Sequence, residues 1–188
     1  MPRIPGVPTS GANLLTKLIY RFSQRRYGAV LDPLTVIAHH RRLMMAAAVS
    51  ELAVEKTATR LPANLRELAV YRVATKIGCS WCVDFGTMLQ RNEGLDIDRL
   101  QHIDDYRTSD AYTEVERLVI AYADAMTEQP VQVTDEQVVE LDRRLGHEGL
   151  VELTHMIAVE NQRTRFNHAL GLTAQGFTSG EACKVPQR

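Results

Sequence analysis

Between Pro62 and Gly78 the apolar residues Leu65, Leu68, Ala69, Val73 and Ile77 recur at three- and four-residue spacing. That is the period of a helix burying one face. A proline at the entrance and a glycine at the exit punctuate it as a helix is usually punctuated. Most of the chain repeats this grammar. Ser10 is placed to cap a first helix carrying Leu14, Leu15, Leu18, Ile19 and Phe22. Asp32-Pro33 starts a second, because Asp caps and Pro is tolerated in a first turn. His39 to Thr57 is rich in Leu, Met, Ala and Glu with no Gly or Pro inside, which predicts a third. A further helix is expected from about Ser80 to Asn92, ended by Gly94, then a short one over Asp96 to Ile103 and a turn over Tyr106 to Asp110. Thr113 and Glu116 form a capping-box pair ahead of Leu118, Val119, Tyr122, Ala123 and Met126. Thr134 to Gln137 is a second such start, and a last long helix follows Gly146 towards Phe166. There is no strand pair and no alternation of strand and helix, so the fold class is all-α. Pro2, Pro5 and Pro8 make residues 1–10 an extended or loosely attached arm, and no linker divides residues 11–188, which read as a single domain.

At 188 residues the chain is long enough for a real core. Its net charge of −1 gives no field to recruit nucleic acid or an anionic membrane. The apolar stretch Leu43 to Val49 is far too short to span a bilayer, and the first ten residues lack an apolar signal core. The expected location is the cytoplasm. Three cysteines, Cys79, Cys82 and Cys183, are too few for a secreted disulfide scaffold. In a reducing compartment, two of them three apart read as redox-active or metal-binding.

Cys79 and Cys82 stand directly after Gly78, where a new helix begins. Residues at i and i+3 share a helix face, so the two sulfurs are able to bond. Unpaired N–H groups at a helix start favour thiolate over thiol. This suits a pair that cycles between dithiol and disulfide. Two other readings compete: buried cysteines that merely pack, and zinc. Structural zinc needs four ligands, usually from two such pairs, and only one pair is present. No metal and no cofactor is expected. Glu67, twelve residues before Cys79, is a proton acceptor within the same unit or, alternatively, a solvated glutamate paired with Arg66 or Arg72.

The run Leu65-Arg66-Glu67-Leu68-Ala69-Val70-Tyr71-Arg72-Val73-Ala74, followed by Gly78-Cys79-Ser80-Trp81-Cys82, resembles the alkylhydroperoxidase D (AhpD)-like and carboxymuconolactone decarboxylase superfamily. The resemblance spans roughly residues 33–170. It implies an AhpD-like helical bundle assembling as a homo-oligomer, a trimer or a hexamer. It also implies a thiol–disulfide oxidoreductase that reduces peroxides with electrons from a dithiol partner. By the same resemblance Cys82 attacks the peroxide, Cys79 is the more exposed, resolving thiol, and Glu67 accepts the proton. The family's histidine, one turn after the second cysteine, falls at Gly86 in this chain. Lactone decarboxylase members usually lack the thiol pair, which disfavours that activity.

Tyr71, one turn after Glu67, and Trp81, between the cysteines, are the candidate substrate-binding residues. His155 is either an alternative imidazole or a core or interface histidine. His39-His40-Arg41-Arg42 reads as an anion site or a solvated helix face, and Arg163, Arg165 and His168 as a carboxylate site or a helix-end cap. The alternative function is a helical oligomer that binds a small apolar ligand, with thiols that sense redox state or only pack. Leu43 to Met45 is a face that a second copy would cover.

Overall fold

The computed structural model describes residues 2–178. Cys183 lies outside the described residues. Seven α-helices account for most of the described chain: α1 (Leu14–Tyr27), α2 (Asp32–Ile37), α3 (Arg41–Thr57), α4 (Ala63–Ile77), α5 (Ser80–Asn92), α6 (Glu114–Thr127) and α7 (Asp135–Ala169). Short 3-10 turns cover Thr9–Gly11 and Asp98–Asp105. Among the described residues there is no strand, and no helix is long and apolar enough to cross a membrane. The described residues divide into two compact units, 2–58 with Leu170–Leu172, and Thr59–Ala169 with 173–178.

In the first unit α1 departs from its sequence pattern. Its cap is Asn13, whose side chain accepts from the Thr16 N–H at 2.8 Å, and Ser10 lies in the preceding 3-10 turn. The apolar stripe faces outward, with Leu14 75% exposed and Leu18 and Phe22 exposed as well. The inward face carries Thr16, Tyr20 and Ser23. The Tyr20 hydroxyl donates to the Val7 carbonyl at 2.9 Å, and the Ser23 hydroxyl donates to the Ala29 carbonyl and accepts the Leu31 N–H. Hydrogen bonds to neighbouring loops therefore fix which side turns in, overriding the apolar periodicity. A small core of Ala12, Tyr20, Ala38 and Met44 completes the unit. His40 caps α3 by accepting the Leu43 N–H, and His39 bonds the Pro5 carbonyl at 2.8 Å, so the basic cluster has local structural partners.

The second unit is built around α4, which packs against α5, α6 and α7. Leu65, Ala69 and Val73 of its stripe meet Val119 and Ala123 of α6 and Leu141, Leu153 and Ile157 of α7. Gly78 ends α4 at φ 84°, a left-handed conformation that a side chain would strain. That turn lets α5 start at once, so α4 and α5 form a hairpin. The capping box at α6 forms as expected, with Thr113 and Glu116 bonding each other's backbone N–H. Thr134 and Gln137 make the same reciprocal pair at the start of α7. Gly146, at φ 69°, breaks α7 into two segments.

Candidate active site

Cys79 is the cap residue of α5, and its sulfur accepts the Cys82 N–H at 3.3 Å. The two cysteines form a disulfide with a Cα–Cα distance of 5.3 Å. Both are buried in the chain, Cys79 at 1% and Cys82 at 6% exposure. An exposed Cys79 is therefore not what the structure shows. Its capping bond turns the sulfur into the helix end instead of outward.

Four-residue spacing puts Cys82, Gly86 and Gln90 on one face of α5. A Cβ at Gly86 would meet only the Tyr71 ring, at 3.6 Å. This contact sets the register of the hairpin: Tyr71 stands opposite Gly86, and Glu67 one turn beyond it. Glu67, 8% exposed, is no surface residue. Its carboxylate accepts from Arg66 Nε at 2.9 Å, whereas Arg72 turns to Asp124 and Asp104. Burial pushes the Glu67 carboxyl above its ordinary value, with the nearby Glu93 adding to the shift. Arg66, by hydrogen bond and charge, and Arg163 of α7 pull against it without cancelling it. A buried acid with a raised pKa is suited to holding and passing a proton.

The third wall is α7. Its buried polar residues Glu160, Thr164 and Asn167 recur at three- and four-residue spacing, and Asn167 Nδ2 donates to Cys82 Sγ at 3.3 Å. Arg163, whose Nη1 donates to Glu160 Oε2 at 3.3 Å, lies one turn from Asn167 and acts electrostatically on Glu67. A polar seam thus runs between α4, α5 and α7, from the disulfide towards Glu67. The structure brings Cys79, Cys82, Tyr71 and Glu67 to it. It does not bring Trp81, whose ring stacks on Phe85 at 4.8 Å and whose indole N–H donates to Gln175 at 3.1 Å. His155 and His168 are exposed, so neither is a core histidine of this chain nor an imidazole for the site. Arg165 is exposed and bonds Asn161. Among the described residues no cluster of His, Cys, Asp and Glu is arranged to hold a metal ion.

Asp84 secures α5 from its other face. It is 3% exposed and accepts five hydrogen bonds from one short segment: the backbone N–H groups of Gln175, Gly176, Phe177 and Thr178, and the Thr178 hydroxyl at 2.7 Å. Burial pushes its carboxyl up, but the bonds from Thr178, Phe177 and Gly176 outweigh burial and hold the pKa below the ordinary carboxylate value. A depressed acid contributes stability above its unfolded pKa, and that contribution fades as pH falls through the lower, folded value. We expect Asp84→Asn, which turns one acceptor oxygen into a donor facing donors, to cost about 2 kcal/mol in urea unfolding at neutral pH. The deficit should shrink under acid as the wild-type carboxylate also protonates. A deficit that does not change with pH would show that the charge is not what holds the segment.

The described fold is all-helical, with a cysteine pair at a helix start and a buried glutamate on the preceding helix. Residues 39–125 match the carboxymuconolactone decarboxylase family. The uncharacterized protein YnjA of Escherichia coli is 28% identical over 165 residues, 88% of each chain. An uncharacterized peroxidase-related protein from Ralstonia eutropha, an alkylhydroperoxidase AhpD core, shares the fold with a TM-score of 0.78 at 16% identity, over 94% of each chain. The debrominase Bmp8, in complex with 2,3,4-tribromopyrrole, shares it with a TM-score of 0.80 at 18% identity, over 93% of this chain and 92% of that one. The family match covers residues 39–125, and the likeness to the solved structures shows that the chain has the AhpD-like fold.

Proposed function

We propose that the protein is a thiol–disulfide oxidoreductase that reduces peroxides through Cys79 and Cys82. The observation that carries this reading is the Cys79–Cys82 disulfide at the start of α5, at one end of a buried polar seam that contains Glu67. In the reduced protein the Cys82 thiolate attacks the terminal oxygen of a hydroperoxide. The O–O bond breaks, Cys82 becomes a sulfenic acid, and the departing alkoxide takes a proton to leave as the alcohol. Glu67, the proton acceptor of this reading, takes the proton released as the Cys82 thiolate forms and passes it to the departing alkoxide. The Cys79 thiolate then attacks Cys82 Sγ, and hydroxide leaves and is protonated to water. A dithiol reductant reopens the disulfide by two exchange steps and is itself oxidised to a disulfide. Per turnover, one peroxide and one dithiol become one alcohol, one water and one disulfide.

The test is peroxide consumption with dithiothreitol as electron donor. The expected result is one dithiol oxidised for each peroxide lost, and consumption without dithiol oxidation would refute the reading. A second reading follows from the open side of Gly86 against the Tyr71 ring and from the likeness to a debrominase. It makes the substrate a small halogenated aromatic, with the dithiol oxidised as a carbon–bromine bond becomes carbon–hydrogen. Bromide release from 2,3,4-tribromopyrrole, with no peroxide consumption, would select it.

The same proposal includes assembly as a homo-oligomer, a trimer or a hexamer, in the cytoplasm. Leu14, Leu18 and Phe22 of α1 and Leu43, Val49 and Leu52 of α3 are exposed in the first unit, an apolar surface that association would remove from water. Light scattering should give a multiple of 21.1 kDa, and a monomer at micromolar concentration would contradict the assembly.

A further inference from the structure

Among the described residues, Asn167 Nδ2 is the side-chain donor seen on Cys82 Sγ, at 3.3 Å, from a residue 85 positions away and itself 3% exposed. In the disulfide this sulfur is a weak acceptor. When the disulfide opens at Cys79, the S–S bond breaks, the new bond forms at Cys79, and the electron pair leaves with Cys82. A donor already aimed at a sulfur that gains charge, in a place closed to water, stabilises the charged form more than the neutral one. No imidazole of the described chain stands at the site, since residue 86 is glycine and His155 and His168 are exposed. The charged residues of the surrounding seam are Glu67 and Arg66 on α4, Glu93 at the end of α5, and Glu160 and Arg163 on α7. Arg66 bonds Glu67, and Arg163 bonds Glu160. On α5 itself, Asp84 is bound to the 175–178 segment.

We propose that Asn167 is a further catalytic residue. Its amide N–H holds the Cys82 thiolate, both as the leaving group when the disulfide is reduced and as the nucleophile in the next turnover. This rests on the thiol–disulfide reading above for its place in the reaction, but the hydrogen bond itself is measurable apart from any turnover.

The experiment uses the full chain with Cys79→Ser and Cys183→Ser, which leaves Cys82 as the single thiol, and follows thiolate absorbance against pH. Adding Asn167→Ala should raise the Cys82 pKa by about one unit, a roughly tenfold loss of thiolate below the pKa. Asn167→Asp, equal in size, should raise it further, because a carboxylate repels the thiolate. The same order should appear in the pH profile of alkylation. A Cys82 pKa that is the same in all three folded chains overturns the proposal. Should the alanine variant not fold, the aspartate variant decides alone. In the otherwise unsubstituted reduced protein, the Asn167 side-chain amide resonances should titrate with the Cys82 pKa, and resonances that stay fixed through that titration likewise overturn it. A Cys82 pKa that responds to Asn167 in a protein that never cycles with peroxide and dithiol would sink the redox reading while leaving this one standing. Cycling with no response would do the reverse.

Discussion

Cys82→Ser is expected to abolish the proposed peroxide reduction, with a loss of roughly a thousandfold or more in turnover. Cys82 receives the Asn167 amide and sits at the first turn of α5, with its backbone N–H bonded to the Cys79 sulfur. A hydroxyl there ionises far too weakly to attack an O–O bond at neutral pH. Cys79→Ser is expected to fail differently. Its Cys82 still attacks once, but the sulfenic acid has no resolving thiol and turnover stops after a single equivalent. Stopped-flow peroxide consumption, with the sulfenic acid trapped by dimedone, separates the two. Sustained turnover in Cys82→Ser would place the chemistry elsewhere in the chain.

Glu67→Gln should lower turnover by about 10²-fold, the usual worth of a positioned acid–base group. Its effect on stability should have the opposite sign. Burial raises the Glu67 pKa against the pull of Arg66, so the folded chain disfavours the carboxylate. A group with a raised folded pKa contributes stability below its unfolded pKa and loses it as pH rises through the folded value. At neutral pH the neutral, isosteric amide is therefore expected to leave thermal stability unchanged or slightly raised, while activity falls. Steady-state kinetics and thermal unfolding on the same preparation test both halves. A variant that loses activity and stability together would make Glu67 a structural residue of the α4–α7 packing.

What could be read from the sequence was local. Gly78 with Cys79 and Cys82, the apolar stripe of α4, the Thr113–Glu116 box and the break at Gly146 are signals contained within one or two turns, and each lies where its spacing points. Longer-range choices were not legible. The Asn167 contact joins residues on α5 and α7. A sign of it existed in the polar spacing of Glu160, Thr164 and Asn167 on an otherwise core-facing helix, yet nothing in that spacing names a cysteine as the partner. The Asp84 cluster is equally distant, since five donors from residues 175–178 meet one carboxylate. That segment also draws Trp81 into an aromatic cluster with Phe85 and Phe177. The facing of α1 is not contained in its periodicity. Periodicity reports an apolar stripe but not its direction, and hydrogen bonds from Tyr20 and Ser23 decided that. The family resemblance implies the more exposed thiol at Cys79, yet Cys79 is 1% exposed. Its role as the cap turns the sulfur inward.

The most direct test of the central claim is a thiol count on the native chain before and after one equivalent of dilute peroxide, with the modified residues mapped by mass spectrometry. Two thiols, those of Cys79 and Cys82, should disappear together as one intramolecular disulfide and return on addition of a dithiol. Thiols at these two positions that stay unreactive until the protein is denatured would contradict it and make the pair structural.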